Sequence, residues 1–223
     1  LTAVVATANP ERFVSVCLPG LRLAGVRRWV LVGNAPSIGV AYEIGRRVAG
    51  TEFQIYVHDD ARLLVEDAAG RIEEFLAAQP PGALAGALGS RQAKCLPWWA
   101  EGELVGLVRA GQRSRSARPV EEPEAATLVG LLDGVILAQR EPWCWTPSPG
   151  WHTYDALRSL EARSRGAPVW VHPSLECEHD ARYKGVSYHM THIGACRRLS
   201  RWSGLRSAFE PGGVSDGDSP NRG

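Results

Sequence analysis

Phe53-Gln54-Ile55-Tyr56-Val57-His58-Asp59-Asp60 is a short β-branched and aromatic run that stops abruptly at two acids. Its length and composition predict a buried strand over Phe53 to Val57, ending in an acidic turn. Upstream, Arg28 to Gly33 reads as a second strand. Asn34-Ala35-Pro36-Ser37 then turns into a helix with Ile38, Ala41, Gly45 and Val48 on one face. Further back, Leu1 to Thr7 is another strand, and Asn9-Pro10 supplies a cap and first-turn pair for the helix that follows it. Downstream, Asp67 to Gln79 reads as an amphipathic helix. Alternation of this kind implies an α/β sandwich on a mainly parallel sheet, whose ligands collect at the carboxyl ends of the strands. Asn34 and the acidic turn both fall at such ends.

After Pro80-Pro81-Gly82 the rhythm changes. Ala83 to Leu88, Glu103 to Arg109 and Gly130 to Gln139 read as strands, with Gly111 to Pro119 as a loop. Thr153 to Arg165 reads as a helix closed by Gly166, and Val169 to His172 as a last strand. The expectation is one domain over residues 1–210, with a nucleotide-facing half at 1–100 and an acceptor-facing half at 101–210. Residues 211–223 are Gly, Pro, Ser and Asp with almost nothing apolar, and are expected to be disordered.

Composition narrows the class. The chain has 223 residues, of which 44% are hydrophobic, enough for a core of ordinary size. A formal net charge of +1 with dispersed basic residues argues against nucleic acid as a partner. Five cysteines without regular spacing predict reduced thiols and a cytoplasmic setting. No apolar run approaches the roughly 18 residues of a membrane span, and no basic region opens a signal peptide. Because the chain begins at Leu1 rather than Met, a few residues are expected to precede it.

Asp59 and Asp60 after His58 put hard oxygen ligands and an imidazole where a Mg2+ or Mn2+ ion can sit with a diphosphate. The competing reading is a polar turn that caps a strand end. In Gly150-Trp151-His152-Thr153-Tyr154-Asp155, Thr153 is placed to cap the helix and Asp155 lies in its first turn. There the helix dipole is expected to keep Asp155 ionised, as a group that accepts a proton from an attacking hydroxyl, or as an ordinary helix-start acid. Cys177, His179, His189, His192 and Cys196 invite a structural zinc reading, but their spacing fits no standard finger. His179 fits better as an added metal ligand or phosphate contact. His189 and His192, three apart, share one helix face if that segment is helical. Trp98-Trp99 and the group Trp143, Trp145 and Trp151 flank loops, suiting either sugar stacking or lid packing. Asp133 interrupts the apolar run from Leu131 to Ile136, so it is expected to be paired or to face a cleft.

Six segments in order resemble the family 2 glycosyltransferases, and more closely the compact glycosyltransferase-like branch with a GT-A domain. They are Ser37 to Gly45, Tyr56 to Asp60, Gly86 to Ser90, Leu132-Asp133-Gly134, Gly150 to Asp155 and Cys177-Glu178-His179. The resemblance implies a Rossmann-like, three-layer nucleotide-diphospho-sugar transferase fold with a mainly parallel mixed sheet. It implies a metal-dependent, inverting transfer of a hexosyl or N-acetylhexosaminyl group, from a UDP-sugar in preference to a GDP-sugar. The acceptor would be a carbohydrate, a peptide or a small molecule.

Carried over residue by residue, Thr7 and Asn34 border the nucleoside, with Ser37, His58 and Asp59 on the same nucleotide-sugar side. Asp60 takes the place of the metal-binding acid, and His179 that of a late histidine reaching the metal or diphosphate. Asp133 and Gly134 line the donor sugar and the acceptor side, and Asp155 stands at the position of the general base. Trp98, Trp99, Trp151 and His152 face the acceptor or form a lid. Two positions depart from the family pattern: His58 where many members have Asp, and Glu43 where Asn is common. Two other functions stay open on the sequence: a nucleotidyltransferase, which lacks a Gly-rich loop with Lys after the first strand, and a noncatalytic carbohydrate- or partner-binding module.

Overall fold

A computed structural model describes residues 1–92, 95–96, 103–110, 120–147, 151, 153–179, 194–197 and 206–207, with the backbone alone at 95–96, 110 and 206–207. The expected disordered tail, Trp98, Trp99, His152, His189, His192 and the loop Gly111 to Pro119 lie outside the described residues.

The chain begins with β1 (Thr2–Thr7), then a continuous helical stretch made of α1 (Pro10–Arg12), a π-helical turn (Phe13–Cys17) and α2 (Leu18–Leu23). β2 (Trp29–Gly33), α3 (Ile38–Ala49), β3 (Phe53–His58), β4 (Ala61–Leu63) and α4 (Ala68–Ala77) follow. The second half is strand-rich: β5 (Leu84–Gly86), β6 (Leu88–Ser90), β7 (Cys95–Leu96), β8 (Leu104–Gly106), β9 (Val108–Ala110), β10 (Val120–Glu121), β11 (Thr127–Leu128), β12 (Leu131–Leu132) and β13 (Ile136–Arg140). It closes with α5 (Tyr154–Ser164), β14 (Val169–Val171), β15 (Cys177–His179) and β16 (Arg206–Ser207).

The large sheet has the order β11-β14-β5-β13-β3-β1-β2. β2, β1, β3, β5 and β14 run in one direction, with β13 and β11 against them. This is the mainly parallel mixed sheet of a Rossmann-like sandwich. Its middle strands are buried on both faces, which is why they read as near-continuous apolar runs. In β1, Ala3 and Val5 face one core and Val4 and Ala6 the other. The first core is closed by Phe13, Leu21, Ile72 and Leu76 from α2, α4 and the π-helical turn. The second is closed by Ile38, Ala41 and Tyr42 of α3 and by Tyr154 and Ala162 of α5.

Local signals set these helices in place. Asn9 caps α1 by accepting from Arg12 N, with Pro10 as the first helical residue. Ser37 caps α3 by accepting from Val40 N. Gly45 lets α3 lie close on β1, since a Cβ there would stand 2.1 Å from Val4 Cγ1. Val48, expected on the buried face of α3, is 66% exposed, and Tyr42 and Ala49 occupy that face in its place. Over this many turns the apolar stripe continues at Ala49, leaving Val48 to one side.

Three stretches are split where single strands were expected. Ala83 to Leu88 divides between β5 of the large sheet and β6 of a four-stranded sheet ordered β10-β8-β6-β12. Gly130 to Gln139 divides at Asp133-Gly134 into β12 and β13, which belong to different sheets. Likewise Glu103 to Arg109 gives β8 and then β9, the latter in a three-stranded sheet ordered β4-β15-β9.

Candidate active site

The acidic turn leaves the carboxyl end of β3, and β4 continues from it into the three-stranded sheet. β15 pairs antiparallel with β4 so that His179 lies opposite Ala61. That register carries His179 back to the turn, across more than half the chain. His179 Nε2 stands 3.4 Å from Asp60 Oδ1, and His58 Nδ1 stands 3.8 Å from the same oxygen. One ligand atom from each of His58, Asp60 and His179 lies within 4.8 Å of the others, the one such cluster able to hold a metal ion among the described residues. His179 Nε2 is buried and has no hydrogen-bond partner among the described residues, its approach to Asp60 being of ion-pair rather than hydrogen-bonding geometry. Two imidazoles and a carboxylate form a donor set that suits a divalent cation, and a buried nitrogen aimed at the carboxylate without a bond of its own fits such an ion. Burial by itself would raise the Asp60 carboxyl. The contact with His179 and the charges of His58, His179 and Arg12 outweigh it, holding Asp60 well below the usual carboxylate range.

Asp59 faces a different set of partners. Thr7 Oγ1, at the end of β1, donates to Asp59 Oδ2 at 2.6 Å and accepts from Asn9 N at 2.9 Å. Arg12 sends one nitrogen to Asp59 Oδ1 at 2.6 Å and another to Asp60 Oδ2 at 3.5 Å. Arg12 went unnoticed in the sequence, although the turn Asn9-Pro10 places it one residue-turn beyond the carboxyl end of β1. Parallel pairing aligns Thr7 with Gly33, so Asn34, with φ 55°, continues beside Thr7 at the same edge of the sheet. Ser37 is buried and its hydroxyl is engaged in the α3 cap.

The Asp133-Gly134 turn approaches from the other side. Val135 N donates to Asp133 Oδ1 at 2.8 Å, and Gly134 N donates to Asp155 Oδ2 at 3.2 Å. Tyr154 Oη donates to Gly134 O at 2.8 Å and also meets His58 Nε2. The turn thus connects Asp155 to His58 through the N–H and C=O of one residue, Gly134, and one phenol. Tyr154 belongs to the Gly150 to Asp155 segment of the family resemblance, which implies no role for it.

Asp155 departs from expectation in its charge. Thr153 occupies the N-cap position of α5 with φ 59° and makes no side-chain cap hydrogen bond. Instead of being held ionised by the helix dipole, the Asp155 carboxyl is pushed up to about 7, first by burial and then by the charge of Asp133, against hydrogen bonds from Ala156 N and Gly134 N. Two nearby carboxylates in a poorly solvated site outweigh the first turn of one helix.

The tryptophans separate into two groups. Trp145 is buried, and with Trp143 it sandwiches Arg158, whose guanidinium carbon lies 4.0 Å from the Trp143 ring centre and 4.3 Å from that of Trp145. Arg158 donates to Gln139 Oε1 and to the carbonyls of Trp143 and Cys144. These two indoles therefore serve the interior, not a sugar ring. Trp151 is 42% exposed. Glu43, the other departure from the family pattern, accepts from Trp145 N and from Arg46 and Arg47. It is held down at about 2, chiefly by Arg46. It ties α3 to the 143–147 segment. Cys177 lies in the first core, whereas Cys196 packs with Leu104, Leu131 and Ala156, so the two do not meet as zinc ligands.

A three-layer sandwich with a charged turn at the carboxyl edge of its parallel strands is the architecture of a GT-A fold. The family model described as "Glycosyltransferase like family" matches residues 26–192, and the chain belongs to that family. At the family level this supports a transferase acting from a nucleotide-sugar donor. GT-A glycosyltransferases commonly use divalent metals, and the cluster of His58, Asp60 and His179 is one that can bind such an ion. No curated protein matches the chain. Among solved structures, A197 from STIV is similar over 83% of this chain and 98% of its own, at 10% identity and a TM-score of 0.45. The inositol-1-phosphate CTP transferase from T. maritima is similar over 89% of this chain and 77% of its own, at 11% identity and a TM-score of 0.37. No helix among the described residues is long and apolar enough to cross a membrane.

Proposed function

We propose that the chain is a metal-dependent, inverting glycosyltransferase. It moves a hexosyl or N-acetylhexosaminyl group from a nucleotide-diphospho-sugar, a UDP-sugar in preference to a GDP-sugar, to a hydroxyl of a carbohydrate, peptide or small-molecule acceptor. The observation that carries this reading is the convergence of His58, Asp60 and His179 at the edge of the sheet where a GT-A ligand belongs. Residues 1–210 act as one catalytic domain, 1–100 for the nucleotide-sugar and 101–210 for the acceptor, in the cytoplasm.

Asp60 and His179, with His58 beside them, would hold Mn2+ or Mg2+. Such an ion, when bound, neutralises the diphosphate as it departs. Thr7, Asn34, Ser37 and Asp59 border the nucleoside, and Asp133 and Gly134 border the donor sugar. Trp151, together with Trp98, Trp99 and His152, faces the acceptor. Asp155 takes the proton of the acceptor hydroxyl while that oxygen bonds to the anomeric carbon and the bond from this carbon to the diphosphate oxygen breaks. A carboxyl raised to about 7 is matched to that task near neutral pH.

The test is a thermal-shift titration of UDP, GDP and CMP with and without manganese, on the wild type and Asp60→Ala. Manganese-dependent stabilisation by one nucleotide, lost in the variant, is expected. No response to any nucleotide would leave the noncatalytic binding module as the better reading.

A further inference from the structure

Tyr154 is buried, and its ring is set by an aromatic cluster, edge-on to Tyr42 at 5.9 Å and tilted against Trp145 at 6.3 Å. Its hydroxyl meets Gly134 O at 2.8 Å and also His58 Nε2. A phenol carries one hydrogen, and a carbonyl can only accept. The contact with Gly134 O is buried, where a carbonyl left without a donor is costly. The phenol hydrogen therefore goes to Gly134 O, and the phenol oxygen is left to accept. His58 Nε2 must then carry the hydrogen that completes the second bond. In a neutral imidazole this assigns the lone pair to Nδ1, the nitrogen 3.8 Å from Asp60 Oδ1.

The geometry points to Tyr154 as a positioning residue of the metal-binding site: by donating to Gly134 O and accepting from His58 Nε2, it fixes His58 in the tautomer that turns a lone pair toward Asp60. This rests on the reading of His58 as a neighbour of the bound cation given above. An imidazole ligand held through its far nitrogen keeps its ring orientation and gains basicity, and loss of such a partner weakens metal binding about 10- to 100-fold. Gly134 belongs to the same device, because a Cβ at that position would stand 2.1 Å from the Tyr154 hydroxyl oxygen. A side chain there displaces the phenol from His58.

The experiment compares the wild type with Tyr154→Phe, which keeps the ring packing, and with Gly134→Ala, which keeps the phenol but moves it. Two quantities are read: Mn2+ affinity by calorimetry, and the His58 tautomer by nitrogen-15 NMR of the metal-free proteins at about pH 9, well above the ordinary imidazole value of about 6.5. The expected result is an Nε2-protonated His58 in the wild type and a tautomer mixture in both variants, with manganese affinity lowered about 10- to 100-fold. An Nδ1-protonated His58 in the wild type, or variants that bind manganese as the wild type does, would overturn the inference while leaving the metal site intact. A wild type that binds no divalent cation sinks the proposed function, and Tyr154's role at a metal with it.

Discussion

The guanidinium of Arg12 stands 2.6 Å from Asp59 and 3.5 Å from Asp60, so one basic residue from the helix after β1 contacts both acids of the turn after β3. Asp59 is nearly inaccessible, while the Arg12 side chain is 31% exposed. Breaking a fully buried pair costs about 3–5 kcal/mol, and partial exposure of Arg12 lowers this to about 2 kcal/mol. Arg12→Met is expected to lose that much in urea denaturation. The double variant Arg12→Met with Asp59→Asn should recover part of the loss, because no charge is then left alone beside Thr7.

Asp155 links pH to both rate and stability. If it is the base, turnover falls as pH drops through about 7, and Asp155→Asn abolishes turnover with nucleotide binding kept. The stability sign is the reverse of a salt-bridged acid. A carboxyl whose folded value lies above its unfolded one stabilises the protein most below the unfolded value, and loses that contribution as pH rises toward about 7. Melting temperatures between about pH 4 and 8 should therefore fall less steeply in Asp155→Asn than in the wild type.

Two nitrogen donors beside one carboxylate favour manganese over magnesium, which prefers oxygen. His58→Asp replaces one of those nitrogens by an oxygen. The ratio of manganese to magnesium affinity is expected to drop by about tenfold, measured by calorimetry with each ion. An unchanged ratio would remove His58 from the ion's neighbourhood.

Arg158 is wholly inaccessible and satisfied by Gln139 Oε1, two carbonyls and two indole faces. Arg158→Ala leaves those acceptors unsatisfied and opens a cavity, and should cost about 3–5 kcal/mol in chemical denaturation. Lysine cannot reproduce the planar fork, so Arg158→Lys is expected to remain well below the wild type in stability.

The strands at the centre of the sheet were legible because burial on both faces leaves an unbroken apolar run, as in Thr2 to Thr7 and Phe53 to Val57. The caps at Asn9 and Ser37 were legible because they act within one turn of chain. What escaped depends on distant partners. Nothing near Trp143 or Trp145 announces that Arg158 will lie between them. The run from Gly130 to Gln139 hides a change of sheet, because both strands it forms are buried. His179 and the acidic turn stood out by residue type, but the register that joins them belongs to β15 and β4, which are far apart in the chain. Tyr154 was overlooked because a tyrosine beside a candidate base looks like packing until its hydroxyl is traced.

The pairing of His179 with Ala61 also imposes an order of assembly. A polypeptide emerging from the ribosome releases β1, β2 and β3 early and can build the centre of the large sheet, yet it lacks the second imidazole until β15 docks on β4. Closing a loop of that length is slow compared with local pairing. During synthesis the nascent chain thus carries Asp60 without its full set of neighbours, and the cluster of His58, Asp60 and His179 exists only once β15 has docked.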